Sequence, residues 1–395
     1  MRNYYWFRPS FIFVLFVLIS CKENRANNKQ MSNEALSDSA ELTLDKPELL
    51  IPNDLRFNQT AAFLSGIKQK DSCDFSAFER KEFWQFHASE MEKIWEKAAD
   101  LRLNKISNWT DSVFLKLVND SLPLFYPFAG GDFLHAQAFY PNASAYHLVA
   151  REKISLLPDF ISMDDKEMTS YLADLRNSLR DVIGKSYFIT KHMNSDLKSG
   201  SFEGLMPLYY VFLARTGYQI LNVEPIRFDT EGRHVLDSVK YSGVRMQISP
   251  DGFKEQTLTY MNFDLGDENI RSNENFKDWV NSLGEKNVFL KAASYLLHYK
   301  SFKEIRSLMF YNTSTIFQDD SGIAYRYVDT THFDVKLFGR YTRPIKDFSD
   351  VTYQNDLAVL YEKTPVSERP EIPFSLGYHV VSDKIQNHQL FIKRN

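Results

Sequence analysis

Asp132 and His135 stand three residues apart in Gly131-Asp132-Phe133-Leu134-His135, a spacing that sets a carboxylate and an imidazole on one face of a helix. That is half of a metal site, since a catalytic divalent ion takes three or four ligands of the His, Cys and carboxylate kind. Asp319-Asp320 and His332-x-Asp334 are the other candidates, the latter pair sharing one face if its segment is a strand. Asp132, His135, Asp319 and Asp320 together would constitute a metal-assisted hydrolase with bound water as nucleophile. Asp319-Asp320-Ser321-Gly322 also has the composition of a plain turn closing the element before it. A carboxylate pair such as Asp264 and Asp267 would cleave glycosides only at a separation that sequence does not state. No Gly-x-Ser-x-Gly, His-Glu-x-x-His, Walker loop or Cys-x-x-Cys is present.

Asp132 ends the break Ala129-Gly130-Gly131-Asp132 after the apolar run Leu122 to Phe128. Phe133 to Phe139 suits a short helix, Pro141-Asn142-Ala143 breaks again, and Tyr146 to Ala150 suits a second strand ending at Glu152. This strand, glycine loop, helix, strand unit resembles the first βαβ of Rossmann-like nucleotide binders and of S-adenosylmethionine-dependent methyltransferases. The resemblance implies that Gly130 and Gly131 let a ligand approach the backbone and that Glu152 accepts from ribose hydroxyls. The chain departs from the pattern in lacking G-x-G-x-x-G, and Asp132 puts a negative charge where a dinucleotide phosphate would lie. No later motif supplies hydride or methyl transfer. The expectation is a βαβ unit used as architecture, with no cofactor.

The elements that must position these residues follow from periodicity. A long helix is expected from Ser76 to Leu103, opened by a Ser76/Glu79 capping box, with His87 on its apolar face as a satisfied core residue. Asp164 and Glu167 announce a second helix running to Gly184, and Phe202 to Ala214 a third with Pro207 in its first turn. Tyr218–Val223 reads as a buried strand. Tyr241–Ile248 and Gln256–Phe263 alternate around Ser249-Pro250-Asp251-Gly252 and predict a hairpin. Helices are expected over 275–283, 290–298, 302–317 and 353–361, and strands near 323–328, 335–341, 375–380 and 390–393. Strands and helices alternate, so the fold class is α/β, with α+β as the alternative: a Rossmann-like βαβ core with an added β-hairpin and several covering helices.

At the start of the chain, Arg2 and Arg8 precede the apolar run Phe11 to Ile19, which is too short to span a bilayer and ends in Leu18-Ile19-Ser20-Cys21. This ending resembles the lipobox of bacterial lipoproteins, which implies cleavage before Cys21 and acylation of that residue. The expected organisation is a signal peptide over 1–20, a flexible polar tether over 21–54, and one globular body over 55–395. Removing Arg2 and Arg8 leaves 45 basic against 51 acidic residues, a net charge of −6, with no basic block for nucleic acid. Cys21 and Cys73 are the two cysteines, so lipidation of the first excludes an intramolecular disulfide. The aromatic content is 15%, but Phe outnumbers Trp 32 to 5, which favours a large core over a sugar platform.

Tyr126-Pro127-Phe128-Ala129-Gly130-Gly131-Asp132-Phe133-Leu134, Phe139-Tyr140-Pro141-Asn142-Ala143, Phe317-Gln318-Asp319-Asp320-Ser321-Gly322 and Pro373-Phe374-Ser375-Leu376-Gly377-Tyr378 look like blocks from a family of exported bacterial lipoproteins with no established activity. The likeness would span about residues 55–395 and transfers no catalytic residue. The expected protein is held at a membrane outside the cytoplasm, the outer membrane first, by its N-terminal lipid. Its expected role is a non-catalytic binding or envelope-associated one toward a glycan, a peptide or an envelope protein. A metal-assisted hydrolase is the alternative, and a degenerate nucleotide or S-adenosylmethionine pocket the third.

Overall fold

In the computed structural model the described residues are 49–70, 73–185, 204–229, 233–342, 353–379 and 386–394. The segments expected to be a signal peptide and most of a tether, with Cys21 between them, lie outside them. No helix among the described residues is long and apolar enough to cross a membrane. Residues from Pro47 onward form one compact unit, a mixed α/β fold.

Its strands are β1 (Leu124–Pro127), β2 (Ala145–Ala150), β3 (Gln219–Phe228), β4 (His234–Leu236), β5 (Gly243–Ser249), β6 (Gln256–Asn262), β7 (Lys286–Leu290), β8 (Thr313–Gln318), β9 (Phe333–Gly339) and β10 (Asn387–Lys393). They join in one ten-stranded sheet of order β4-β3-β5-β6-β2-β1-β7-β8-β10-β9. The central run β6-β2-β1-β7-β8 is parallel throughout. Antiparallel strands flank it on both sides. The predicted hairpin is present as β5 and β6. It is not an appendage, because β6 also pairs in parallel with β2, Leu148 opposite Tyr260.

The helices are α1 (Arg56–Leu64), α2 (Ser76–Glu79), α3 (Glu82–Ala98), α4 (Asn104–Ser112), α5 (Phe133–Phe139), α6 (Asp165–Lys185), α7 (Met206–Arg215), α8 (Asp267–Arg271), α9 (Glu274–Ser282), α10 (Lys303–Phe310) and α11 (Asn355–Lys363). They cover both faces of the sheet. Leu124, Tyr126, Phe289, Phe317 and Leu390 point into one core with α1, α3, α4, α5, α6 and α7. The intervening Phe125, Val288, Leu290, Ile316 and Phe391 point into a second core with α8, α9 and α10. A strand buried on both sides reads as an apolar run, which Leu124-Phe125-Tyr126 of β1 and Val288-Phe289-Leu290 of β7 show, whereas β8 is apolar only at Ile316-Phe317. The aromatic residues fill the interior: Trp109 stacks on Phe114 and Phe317 and meets Phe139, Phe338 and Phe374 edge-on.

Several elements fall where periodicity puts them. Asp164 caps α6 by accepting from the backbone of Lys166 and Glu167, while Glu167 accepts from the Asp164 N–H at 3.1 Å. Pro207 lies in the first turn of α7, which is apolar all round and buried. Gly217 ends that helix with φ of +83°.

Other expectations need correction. The long helix from Ser76 is interrupted, because Ser76 Oγ turns back to bond Cys73 and does not cap the following turn. α2 stops at Glu79, α3 restarts at Glu82, and a π-turn over Ala99–Leu103 leads into α4. The helices expected over 290–298 and 302–317 hide two strand ends. Leu290 closes β7, and β8 takes residues 313–318, since a fully buried parallel strand carries no alternation to separate it from a buried helix. Residues 323–328 form a 3-10 turn at Tyr325–Tyr327, and the 375–380 segment has a 3-10 turn at Gly377–His379, with residue 380 outside the described set. Residues 50–54, assigned to the tether, are hydrogen-bonded to the sheet: Leu50 N–H donates to Gly252 O and Asn53 N–H to Leu221 O, both at 2.8 Å.

His87 is the satisfied core residue expected of it. Its Nε2 donates to Leu64 O at 2.9 Å and its Nδ1 accepts from Arg176 at 2.9 Å. Burial pushes His87 and His147 down to about 3 and His234 to about 4, against an ordinary 6.5. All three are neutral in the fold at pH 7 and take up protons only on unfolding once the pH drops below 6.5. Their contribution to stability is therefore complete above pH 6.5 and is lost as pH falls toward 3. Each such group adds about 1.4 kcal/mol per pH unit to the slope within that window. Urea midpoints measured at pH 7.5, 6 and 5 are expected to fall in that order, with a shallower fall in a His87→Gln variant that still folds.

Candidate functional site

The carboxyl ends of β1 and β7, neighbours in the sheet, converge on a buried cluster of charges. Beyond β1 the chain passes Phe128 with φ of +62° and Gly130 with φ of +57°, then reaches Asp132, the residue before α5. Beyond β7 comes Lys291, followed by Ala292 with φ of +54°. A non-glycine residue in the left-handed region is uncommon, and here two of them bracket one cluster.

Lys291 Nζ lies 2.5 Å from Asp132 Oδ2, with both side chains almost fully buried. Tyr126 OH donates to the same oxygen at 3.0 Å. Asp132 Oδ1 takes the His135 Nδ1 at 2.7 Å and the His135 backbone N–H at 3.3 Å. Four donors thus saturate a carboxylate that can accept about four hydrogen bonds. His135 Nδ1 is also 3.0 Å from Lys291 Nζ. The contact with an ionised carboxylate requires Nδ1 to carry the proton, so the ammonium directs its own proton to Asp132. Burial alone would raise the Asp132 carboxyl, but His135 and Lys291 beside it hold it well below the usual carboxylate range. Burial lowers both His135 and Lys291, and the Asp132 charge opposes that in each.

The four hydrolase candidates divide. Asp132 and His135 are in contact, and Asp319, just past β8, approaches the same cluster. Its Oδ2 and Lys291 Cγ lie 3.0 Å and 3.2 Å from where a Cβ on Gly377 would stand, so only glycine lets that loop come this close. Asp319 Oδ1 also accepts from the Ser321 N–H at 2.9 Å and from its hydroxyl, closing the turn. Asp320 is held by its backbone, its N–H donating to Asn387 and its carbonyl accepting from Gln354 and His298. Its charge acts on His298, Tyr341 and Tyr361. Among the described residues no group of three or more His, Cys, Asp or Glu side chains is gathered as for a metal ion. His332 and Asp334 do not form one site: His332 lies in a turn before β9 and pairs with Asp329, and Asp334 pairs with Arg394. Asp267 caps α10 through the Glu304 N–H, whereas Asp264 faces Arg151 at 3.4 Å.

Glu152 is buried just past β2, and its carbonyl accepts from Tyr260 OH at 2.6 Å. Tyr209 of α7 spans the interval between it and the glycine loop. Tyr209 OH donates to Gly130 O at 3.2 Å, and its ring centroid is 5.9 Å from that of Tyr260. Burial, then the Glu152 charge, pushes both phenols well above their ordinary range. Arg102, on the π-turn, is buried and donates to the carbonyls of Ile183 and Gly184. A surface cleft of about 240 Å³ between α3 and α6 has Lys93, Lys97 and Arg180 on its walls and none of the cluster residues.

Lys291, Tyr126 and Tyr209 were absent from the candidates drawn from sequence. Lys291 had a usable signal, a lone cation directly after the apolar run Val288-Phe289-Leu290, where parallel strands present their ligand-facing ends. Tyr209 had none, since it sits in an unbroken apolar helix. No family model and no curated protein matches the chain.

The buried pair sets a stability prediction. Lys291→Met or Asp132→Ala alone leaves one charge uncompensated and is expected to cost about 3–5 kcal/mol. The double variant is expected to cost clearly less than the sum of the two. Urea denaturation of the four proteins measures that coupling, and simple additivity would show that the pair contributes nothing specific.

Proposed function

We propose that this chain is a lipid-anchored extracytoplasmic protein whose Rossmann-like body serves as a non-catalytic binding or envelope-associated module, its nucleotide-type slot filled from within. The observation that carries the reading is Tyr209, bonded to Gly130 O and set beside Tyr260 and Glu152, where a ribose-bearing ligand would otherwise meet the glycine loop. Support for a Rossmann-like core comes from the strand order. β2 and β6 follow β1 outward on one side, β7 and β8 on the other, and the charged cluster lies at the carboxyl ends where the order reverses. The anchor rests on Leu18-Ile19-Ser20-Cys21. A glycan, a peptide or an envelope protein is the proposed class of partner.

The metal-assisted hydrolase is the second reading. The left-handed Phe128 and Ala292 beside the Asp132–His135 contact favour it, because strained backbone collects at reactive sites. Lys291 opposes it, since a metal ion on Asp132 would have to displace an ammonium already 2.5 Å away.

A thermal-unfolding scan with divalent metals, chelator, S-adenosylmethionine, nucleotides and glycan fragments separates these readings. A ligand at 100 times its Kd adds about 2.7 kcal/mol, enough to move the midpoint by a few degrees in a chain of this size. S-adenosylmethionine and nucleotides are expected to leave the wild-type midpoint unchanged, and a clear rise would refute the filled slot. A rise with metal that chelator and Asp132→Ala abolish would place a metal at Asp132 and favour the hydrolase instead. Metabolic labelling with an alkyne fatty acid is expected to mark the wild type and not Cys21→Ala.

A further inference from the structure

The first described residues of the chain lie in an exposed apolar face. Leu49, Ile51 and Leu55 are 58%, 77% and 65% exposed, and Phe253 on the neighbouring β5–β6 turn is 48% exposed. Leu49 meets the turn that carries Phe253, and Ile51 and Leu55 follow in the same segment. Leu50 N–H bonds Gly252 O, and Leu49 Cδ1 would meet a Cβ placed on Gly252 at 3.3 Å. Asn53 N–H bonds Leu221 O, and the Asn58 side chain holds both the N–H and the carbonyl of Ile220. The segment is thus fastened across the end of the sheet by its backbone while its apolar side chains stay outside. Asn53, Arg56, Asp251 and Lys254 form a polar rim. Fixing three large apolar side chains in water gains nothing for the fold, and an apolar patch with a polar rim marks an interaction surface.

We propose that this face docks on the surface of the membrane that carries the anchor. The inference rests on the reading of Cys21 as the lipidated residue. The occupant follows from where the chain goes: residues 22–48 connect Cys21 directly to Leu49, so the lipid is tied to this face and to no other. A polar linker of that length has a root-mean-square reach of about 30 Å, which holds the face at a high effective concentration against the bilayer. Attraction is by insertion of Leu49, Ile51, Leu55 and Phe253 at the headgroup boundary and not by long-range charge, since the net charge is negative. Docking orients the body, with the far end of β3 and the β4 edge turned away from the bilayer.

The test uses the full-length lipidated protein in phosphatidylethanolamine/phosphatidylglycerol vesicles carrying a nitroxide-labelled lipid. Bimane is attached to an Ile51→Cys variant and, as control, to Val239→Cys, both in a Cys73→Ser background. Val239 is 83% exposed and follows Asp237, whose N–H bonds Pro225 O, so it stands level with Pro225 and Ile226, about 15 Å along β3 from Leu221. Lipid quenching at position 51 is expected to exceed that at 239 by at least about twofold, and adding Phe253→Ser is expected to reduce the difference. Equal quenching at the two positions while the protein floats with the vesicles overturns the docking face and leaves the anchor intact. Shielding at position 51 in detergent without vesicles, rising with protein concentration, assigns the face to a second copy and overturns it as well. If wild type and Cys21→Ala alike fail to float, the anchor itself is refuted, and the docking face with it.

Discussion

Two charges buried against each other at the centre of the sheet constrain everything around them. Asp132 and Lys291 leave adjacent strands and meet at 2.5 Å in an interior that gives neither access to water. Taking one charge out of water costs several kcal/mol, so neither side chain can be accommodated without the other. Their meeting requires β1 and β7 to be neighbours although residues 128–285 intervene in sequence. It also requires the chain to turn sharply after each strand, and Phe128 and Ala292 hold left-handed backbone there. Tyr126 and His135 complete the coordination of the carboxylate, which ties α5 to both strands.

The same arrangement bears on function. The carboxyl ends of parallel strands at a reversal of strand order are where doubly wound proteins hold ligands. Here that region is occupied by the chain's own groups. Lys291 takes the place a cation would have at Asp132, and Tyr209 takes the hydrogen bond at Gly130 O. In the proposed reading the fold keeps the architecture of a ligand site and fills it with side chains, which turns attention to the surface. The apolar residues around Phe253 and the N-terminal segment fastened beside them are a feature there that the interior does not account for.

Much of the fold was readable in advance where the chain carries local punctuation. The strand, glycine loop, helix and strand from 124 to 150 fell into place because Gly130, Gly131 and Pro141 mark its breaks. Asp164 and Glu167 formed the reciprocal cap their spacing implies. The 302–317 segment failed for the opposite reason. No glycine or proline lies between α10 and β8, so no local break marks the change from helix to strand. At the site, Asp132 and His135 were legible because one turn of helix brings them together. Asp319 is legible as a carboxylate but its neighbour Lys291 is not, and His332 and Asp334 do not pair because each has a nearer partner in Asp329 and Arg394.

What the sequence determined by itself was set by local chemistry: the alternation of strands and helices, the caps, the turn at 249–252, and the expectation of an exported, lipid-bearing N-terminus from the residues before Cys21. The tertiary structure alone decided which strands adjoin, and hence which charges meet. Lys291 reaches Asp132 across 159 positions, and Tyr209 reaches Gly130 across 79. Such contacts depend on how two covered faces of a sheet pack, a property of the whole chain that no short window of residues carries.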